Sequence, residues 1–259
     1  MRAAAIQLDI VRGDIARNMA TVERETARLA ETVRPDVITL PELWSTGYAL
    51  PQARELASPM GQREADFLGE LARRYHVAFA GGSVLSLEDG RVFNRAQVID
   101  AEGRYVGGYN KMHLFRPMEE DRWLAQGEQR LLFPLDGMTC ACVISYDIRF
   151  CELPRRLALD GAEVLFVSAE WPSPRIGHWS TLLRARAIEN QLYIVACNRC
   201  GVTGSERFGG SSTIIAPDGT ILAEAGEEET VISAELDTAL PSALRRSFPV
   251  FADRVPALY

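Results

Sequence analysis

The chain has 259 residues, of which 47% are hydrophobic, and a formal net charge of −7 with acidic and basic residues interleaved. This length and composition suffice to bury a large core and exclude a disordered or fibrous chain. No basic stripe offers a site for nucleic acid or an anionic membrane, no segment reaches membrane-spanning length, and the apolar run at the N-terminus meets Asp9 too early for a signal peptide. We expect a soluble, cytoplasmic protein that binds neither nucleic acid nor membrane.

Strands and helices alternate along the first half of the chain. Residues 3–10 predict a strand, and Asp14 follows as the N-cap of a helix whose apolar positions recur at helical spacing. The further predicted elements are a strand over 36–40, a helix over 61–75, a strand over 77–80 and a hairpin that turns at Glu102-Gly103.

The second half repeats this organisation. Its predicted elements are a strand over 138–144, a helix near 152–159, a strand over 164–168, a helix over 178–190, a strand over 192–197 and a hairpin that turns at Asp218-Gly219. Each half supplies a sheet and helices, and the long apolar strands need covering on both faces. We therefore expect an α/β fold with two mixed sheets packed face to face under outer helices, a four-layer αββα sandwich. Periodicity alone also allows a doubly wound single sheet.

No linker or shift in composition divides the chain. We expect one domain over residues 1–259, with a C-terminal arm over about 247–259. The arm is apolar at Phe251, Val255, Leu258 and Tyr259. It can pack on a second copy of the chain or fold back on its own.

The cysteines predict neither disulfides nor a metal site. They are odd in number, five in all, and most have apolar neighbours, at positions Cys140, Cys142, Cys151, Cys197 and Cys200. The Cys140/Cys142 and Cys197/Cys200 pairs have spacings that a zinc site could use. Alternation along a strand explains the first pair, so we expect no metal.

Reactive side chains follow four predicted strands. Glu42, Lys111, Ser145 and Glu170 each stand just after the carboxyl end of a strand, where crevices form in α/β folds. If they converge, a carboxylate can act as general base and an ammonium can stabilise an oxyanion while a nucleophile attacks a carbonyl. The backbone N–H of Tyr146, after the candidate nucleophile, is a second oxyanion donor. This pattern predicts acyl transfer.

Three ordered segments resemble the motifs of the nitrilase, or carbon–nitrogen hydrolase, superfamily. They are LPELWSTGY at 40–48, YNKMHLF at 109–115 and ISYDIRFCEL at 144–153. The resemblance extends over essentially the whole chain and implies the same four-layer sandwich. It also implies Glu42 as general base, Lys111 as electrostatic stabiliser and position 145 as nucleophile, with no cofactor and a homodimeric assembly.

Many members of this superfamily add a second glutamate soon after the lysine motif. Glu119 and Glu120 are the candidates here, and the spacing from Lys111 favours Glu120, with Glu128 as a structural acid. Arg149 and Glu152 are expected to brace the turn after the nucleophile through a salt bridge.

The nucleophile position departs from the family pattern. Ser145 stands where the pattern has a cysteine, and Cys151 stands where it has a proline. Neither Cys151 nor Cys142 is expected to replace the missing thiol. A serine hydroxyl is a weak nucleophile without a matched base, and the chain has no G-x-S-x-G elbow or evident triad. We expect slow turnover, either from an engineered Cys→Ser variant, which the intact motifs favour, or from a natural pseudoenzyme that only binds.

The residues around Ser145 resemble the amidase branches of the superfamily, and segments 169–172 and 178–190 are similar to bacterial omega-amidases. The implied substrate is a small linear amide such as 2-oxoglutaramate, in a pocket lined by Tyr48, Glu170 and Trp171. An N-carbamoyl amino acid or another aliphatic amide is the alternative substrate.

Overall fold

The computed structural model describes residues 1–258. The strands are β1 (Arg2–Gln7), β2 (Val37–Thr39), β3 (Ser58–Pro59), β4 (Ala78–Glu88), β5 (Arg91–Ile99), β6 (Tyr105–Asn110), β7 (Leu132–Leu135), β8 (Met138–Ile144), β9 (Val164–Ala169), β10 (Tyr193–Asn198), β11 (Cys200–Thr203), β12 (Glu206–Gly209), β13 (Thr213–Ile215), β14 (Ile221–Glu224) and β15 (Thr230–Glu235). The α-helices are α1 (Ile15–Thr32), α2 (Ala53–Leu56), α3 (Gln62–Tyr75), α4 (Glu120–Trp123), α5 (Glu152–Leu159), α6 (Ile176–Asn190) and α7 (Leu240–Ser247).

The strands form two large mixed sheets. The first has the order β15-β1-β2-β4-β5-β6, with β3 beside β4, and the second has the order β14-β13-β10-β9-β8-β7. In each sheet three neighbouring strands are parallel, β1, β2 and β4 in the first and β8, β9 and β10 in the second. Strands β11 and β12 form a separate hairpin. Each half of the chain therefore contributes one parallel core extended by antiparallel strands.

The two sheets face each other across an apolar core. Phe166 and Val167 of the second sheet lie in one buried cluster with Ala80 and Val98 of the first. Helices α1 and α3 cover the outer face of the first sheet, and α5 and α6 cover that of the second. The predicted four-layer αββα sandwich is confirmed.

Most predicted elements lie within a few residues of their predicted bounds. Asp14 caps α1 as expected, because its Oδ1 accepts a hydrogen bond of 3.1 Å from the backbone N–H of Arg17. Both predicted hairpins form, β5 with β6 and β13 with β14. The strand predicted to end at Ala80 instead continues to Glu88 as β4. The elements that were not predicted are helices α2, α4 and α7 and strands β3, β7, β11, β12 and β15.

A glycine pair explains why β4 runs further than its apolar pattern suggests. Gly81 and Gly82 both have φ of +80°, and the register with β5 shifts between Ala80 and Ser83. This conformation favours glycine, and a Cβ at Gly82 would lie 2.7 Å from the Cβ of Leu40. The bulge turns the backbone of Ser83 toward the loop after β2, where it forms hydrogen bonds.

The C-terminal arm folds partly onto its own chain. Phe251 packs against the inter-sheet core cluster and lies under the guanidinium groups of Arg155 and Arg245, whereas Val255 and Leu258 are exposed. Tyr259, the last residue assigned to the arm, lies outside the described residues. Assembly as a homodimer stays a prediction. No helix within residues 1–258 is long and apolar enough to cross a membrane.

Phe166 offers a test of the inter-sheet core. Its fully buried side chain lies between the sheets, near Gly81 of β4 and Phe133 of β7. We expect Phe166→Ala to lower the free energy of unfolding by about 3–5 kcal/mol, because it leaves a cavity that the sheets cannot close. Urea titration measures the change. Ile188→Ala, at a half-exposed position on α6, is the control and should change it by less than about 1 kcal/mol. Equal losses of unfolding free energy in the two variants would contradict the placement of Phe166 in the core between the sheets.

Candidate active site

Glu42 lies in the loop after β2 and is completely buried. Ser83 holds this loop in place. Its hydroxyl accepts a hydrogen bond of 2.9 Å from the N–H of Leu43, and its carbonyl accepts one of 3.0 Å from the N–H of Trp44. The Glu42 carboxylate accepts hydrogen bonds of 2.8 Å from Asn94 Nδ2 and 3.0 Å from the backbone N–H of Glu170. Glu42 therefore has a fixed orientation.

Lys111 follows β6 and joins two carboxylates. Its Nζ lies 2.7 Å from Glu42 Oε1 and 2.7 Å from Glu120 Oε1, and all three side chains are fully buried. Glu120 is the first residue of α4, and its other oxygen, Oε2, accepts a hydrogen bond of 2.8 Å from the N–H of Phe115. The neighbouring Glu119 is exposed and faces Arg122. Of the two candidates for the second acid, only Glu120 is at this cluster.

The cluster places one positive charge between two acids. Burial alone would lower the pKa of Lys111, but the carboxylates of Glu120 and Glu42 outweigh it and raise the pKa above its ordinary value. Lys111 is therefore an ammonium. Burial raises the pKa of Glu120, although the charge of Lys111 opposes the shift.

The hydroxyl of Tyr48 connects the two acids. It lies 2.9 Å from Glu42 Oε1 and also contacts Glu120 Oε1. Burial, followed by the negative charges of Glu120 and Glu42, raises the pKa of Tyr48 well above its usual range. Tyr48 is therefore a neutral phenol with one proton to donate.

Ser145 begins a 3₁₀ turn, Ser145–Arg149, directly after β8. Its φ of +45° is rare for a residue with a side chain and marks a sharp turn. Asp147 anchors this turn. Its buried carboxylate accepts hydrogen bonds of 2.9 Å from the N–H of Ile144, 2.8 Å from the Tyr109 hydroxyl and 3.0 Å from the N–H of His113. The turn is thereby bound to the segment that carries Lys111.

Glu170 adds a fourth buried carboxylate, directly after β9. Its Oε2 lies 2.7 Å from Nη1 of the buried Arg199, and its Oε1 has no hydrogen-bond partner among the described residues. Burial raises the pKa of Glu170 to about 7, although Arg199 opposes the shift. Because β8 and β9 are parallel neighbours, with Ile144 opposite Ser168, their following residues lie side by side. Ser145 is thereby placed near Glu170.

A cleft opens in front of Ser145. The cleft is narrow in this structure. Its walls are Tyr48, Phe115, Ser145, Tyr146, Arg149, Glu170, Trp171, Pro172 and Arg175. The structure thus brings together all the residues predicted for the site. Tyr48, Glu170 and Trp171 line the cleft, and the Glu42–Lys111–Glu120 cluster lies behind Tyr48.

One expectation about the nucleophile turn is wrong. Arg149 and Glu152 form no ion pair with each other in residues 1–258. The guanidinium of Arg149 instead lies over the ring of Trp171, 4.6 Å from its centroid, inside the cleft. Glu152 is the first residue of α5 and points to Cys151. The cleft offers Arg149 the aromatic faces of Trp171 and Tyr146, which its position in the sequence did not reveal.

Other candidate residues lie outside the cleft. Cys142 is buried within β8 and Cys151 is exposed before α5. Glu128 is exposed at a different surface depression, between β5 and β6. Within the described residues, no three His, Cys, Asp or Glu side chains are grouped to hold a metal ion.

Three residues at the site had no predicted role. Asn94 is a buried amide in β5, and Asp147 lies two residues after Ser145. Arg199 directly follows β10, so the rule that reactive groups follow strands would have found it. The sequence feature that could have indicated Asn94 is a polar residue at a position of β5 where the side chain is buried.

The arrangement contains the parts needed for acyl transfer. Glu42 is a fixed carboxylate and Lys111 is a fixed cation, the kinds of group that serve as base and as oxyanion stabiliser in acyl transfer. The N–H of Tyr146 lies in the first turn of a helix, where such groups lack an acceptor within the helix. The side chain at position 145 lines the same cleft.

Comparison with known proteins gives one consistent family. The family model for carbon-nitrogen hydrolases matches residues 2–246. A 2-oxoglutaramate amidase of Bacillus subtilis is 41% identical over 256 residues, which cover 99% of this chain and 98% of the relative.

Solved structures agree. A CN-hydrolase superfamily protein of Xanthomonas campestris, with an arsenic adduct in its active site, has a TM-score of 0.91 and 30% identity, with 98% of this chain and 97% of that chain covered. An amidase of Nesterenkonia with acrylamide added at its active-site cysteine has a TM-score of 0.85 and 25% identity, with 96% and 98% covered. By its sequence and by its fold, this chain belongs to the carbon–nitrogen hydrolase family.

Proposed function

We propose that this site hydrolyses the ω-amide of a short dicarboxylate, such as 2-oxoglutaramate, through an acyl-enzyme, and that Ser145 occupies the place of a cysteine and slows turnover. The observation that carries the proposal is the buried Glu42–Lys111–Glu120 cluster beside a cleft that holds position 145. The 2-oxoglutaramate amidase activity of the Bacillus subtilis relative and the active-site cysteine of the Nesterenkonia amidase support it.

The proposed reaction has two halves. In the first, the nucleophile at position 145 attacks the amide carbonyl and its proton passes to Glu42. Lys111 and the N–H of Tyr146 stabilise the oxyanion, the C–N bond breaks, and the nitrogen takes the proton from Glu42 and leaves as ammonia. In the second half, a water molecule gives its proton to Glu42 and attacks the acyl group. The carboxylic acid leaves and the nucleophile regains its proton.

The hydroxyl of Ser145 suits this mechanism poorly. A thiol has a useful thiolate fraction near neutral pH, whereas a hydroxyl has almost none. A carboxylate such as Glu42 can accept a proton from a thiol far more readily than from an alcohol. Slow turnover therefore needs no change elsewhere in the site.

Restoring the thiol tests the proposed nucleophile. We expect Ser145→Cys to increase ammonia release from 2-oxoglutaramate by on the order of 10² or more, because the thiolate is the better nucleophile. The control is Cys151→Ser in the same background, which alters an exposed cysteine outside the cleft and should change nothing. Equal rates before and after the Ser145→Cys substitution would refute the proposal, and ligand binding without turnover would favour a binding protein. If the Ser145→Cys protein hydrolyses N-carbamoyl amino acids faster than 2-oxoglutaramate, the chain belongs to another branch of the family.

The neighbouring glutamates provide a matched pair of variants in the Ser145→Cys background. We expect Glu120→Gln to lower kcat by about 10², because it removes a charge that orients Lys111. Glu119→Gln changes an exposed carboxylate one residue away and should alter kcat by no more than about twofold. Steady-state kinetics measure kcat of the two variants, and melting temperatures show whether each variant is folded. Similar effects of the two variants would rule out Glu120 as the second acid.

The titration of Glu170 predicts a pH dependence of binding. Since burial raises its pKa to about 7, the side chain is neutral below that pH and negative above it. An anionic substrate meets repulsion only from the ionised form, so we expect KM for 2-oxoglutaramate to rise by up to about tenfold as pH increases through 7. KM for butyramide, a neutral amide, should stay level. In Ser145→Cys/Glu170→Gln the rise should disappear. The same pH profile of KM for both substrates would contradict the assignment of this pH dependence to Glu170.

A further inference from the structure

Glu64 is a buried carboxylate for which the proposed reaction has no role. It lies in the first turn of α3, and its side chain is fully buried. Its Oε2 accepts a hydrogen bond of 2.8 Å from the Ser58 hydroxyl, and its Oε1 accepts one of 2.9 Å from the Ser45 hydroxyl. The partly exposed Arg63 supplies the counter-charge at Oε1. Because a buried carboxylate is costly without these hydrogen bonds, it holds both hydroxyls firmly.

Ser45 connects this carboxylate to the segment that carries the site. Ser45 lies three residues after Glu42 and three residues before Tyr48, and it is completely buried. Its hydroxyl binds Glu64 of α3, and its carbonyl accepts a hydrogen bond of 2.9 Å from Asn18 Nδ2 of α1. Both helices that cover the outer face of the first sheet therefore hold the loop after β2 at this one residue.

The loop 42–48 has no regular secondary structure and depends on such anchors. Leu43 has φ of +45°, a conformation that is rare for a residue with a side chain and that the surroundings must impose. Ser83 binds the N–H groups of the first residues of the loop. Toward Tyr48 the loop is held by the hydroxyl and carbonyl of Ser45 and by one backbone hydrogen bond from the segment before α1.

Both ends of this loop belong to the candidate active site. Glu42, at its start, contacts Lys111. Tyr48, at its end, contacts Glu42 and Glu120 and lines the cleft. A displacement of about 1 Å in such groups can lower a reaction rate by about 10². The geometry of the acids therefore depends on what holds the middle of the loop.

We propose that the hydrogen bond from Ser45 to Glu64 positions Glu42 and Tyr48 for the reaction. This inference rests on the proposed function. Ser45 and Glu64 do not line the cleft, so they are positioning residues that act through the loop. Their contribution is to keep the proposed base and the phenol within reach of Lys111.

Ser58 supplies a matched control, because its hydroxyl binds the other oxygen of the same carboxylate but belongs to β3. In the Ser145→Cys background we expect Ser45→Ala to lower kcat for 2-oxoglutaramate by about tenfold, with KM within about threefold, because it displaces the base. Ser58→Ala should change kcat by no more than about twofold. Both variants should lower the melting temperature similarly, since each removes one buried hydrogen bond to a carboxylate. A merely structural role would give equal changes in kcat.

Variants of Glu64 test whether the two residues act as one unit. We expect Glu64→Ala to lower kcat as much as Ser45→Ala does, and the double variant to show no further loss, because both changes break the same hydrogen bond. Glu64→Gln keeps an acceptor oxygen and should retain kcat within about threefold. If Glu64→Ala does not fold, Ser45→Ala and Glu64→Gln make the comparison by themselves. Losses that multiply in the double variant would contradict the shared role.

Hydrogen exchange gives a second readout that does not need turnover. In the chain with Ser145, we expect Ser45→Ala to increase the exchange rates of the amides of residues 43–47 by about threefold or more, because the loop opens more often. Ser58→Ala should leave these rates unchanged. Mass spectrometry of peptides that cover the loop measures both variants.

The outcomes separate the two proposals. Equal effects of Ser45→Ala and Ser58→Ala on kcat, or on exchange of residues 43–47, would overturn the positioning role and leave amide hydrolysis intact. Faster exchange in Ser45→Ala with unchanged kcat would overturn it as well. If the Ser145→Cys protein releases no ammonia, the proposed function fails, and the exchange rates alone decide whether Ser45 holds the loop.

Discussion

The buried ammonium of Lys111 between Glu42 and Glu120 is the interaction on which the site depends. It joins the loop after β2, the end of β6 and the start of α4, three segments without a common secondary-structure element. Removing one partner from such a group leaves an uncompensated buried charge, which costs about 3–5 kcal/mol. The attraction between the Lys111 ammonium and the two carboxylates therefore fixes the positions of Glu42 and Glu120 more strictly than the loop conformations alone would.

A further buried carboxylate, that of Asp147, connects this cluster to the turn that begins at Ser145. Asp147 accepts hydrogen bonds from the end of β8 and from His113, two residues after Lys111. The N–H of Glu170 donates to Glu42 from the end of β9. Since β6 and β8 belong to different sheets, these contacts unite the two halves of the molecule at one end of the sandwich. The cleft forms where the two sheets meet.

The sequence predicted those features of the fold and site that depend on local patterns. Strand periodicity located the ends of the parallel strands, and Glu42, Lys111, Ser145 and Glu170 follow strand ends in the structure. Glu120 was favoured over Glu119 by spacing, and the structure supplies the physical reason, since Glu119 has φ of +57° and turns outward before α4 begins. Their catalytic roles stay predictions.

The features that were missed depend on contacts between distant segments. The partner of Arg149 is Trp171, which follows another strand, so no spacing within the turn could reveal it. Asn94 reaches Glu42 across 52 positions of sequence. The long strand β4 needed the bulge at Gly81 and Gly82, whose shape is set by Leu40 and Thr39 beside it.

The side chain of Ser145 supports little of this architecture. Its positive φ costs about 1–3 kcal/mol in strain, and its hydroxyl forms no hydrogen bond with the residues that the structure describes. The turn is held by Asp147, and the cluster behind it is held by Lys111. A chain with a hydroxyl at position 145 can thus keep the complete geometry of the site and lose only the reactivity of one atom. For the same reason a thiol at this position requires no rearrangement of its neighbours, because none of their contacts passes through it.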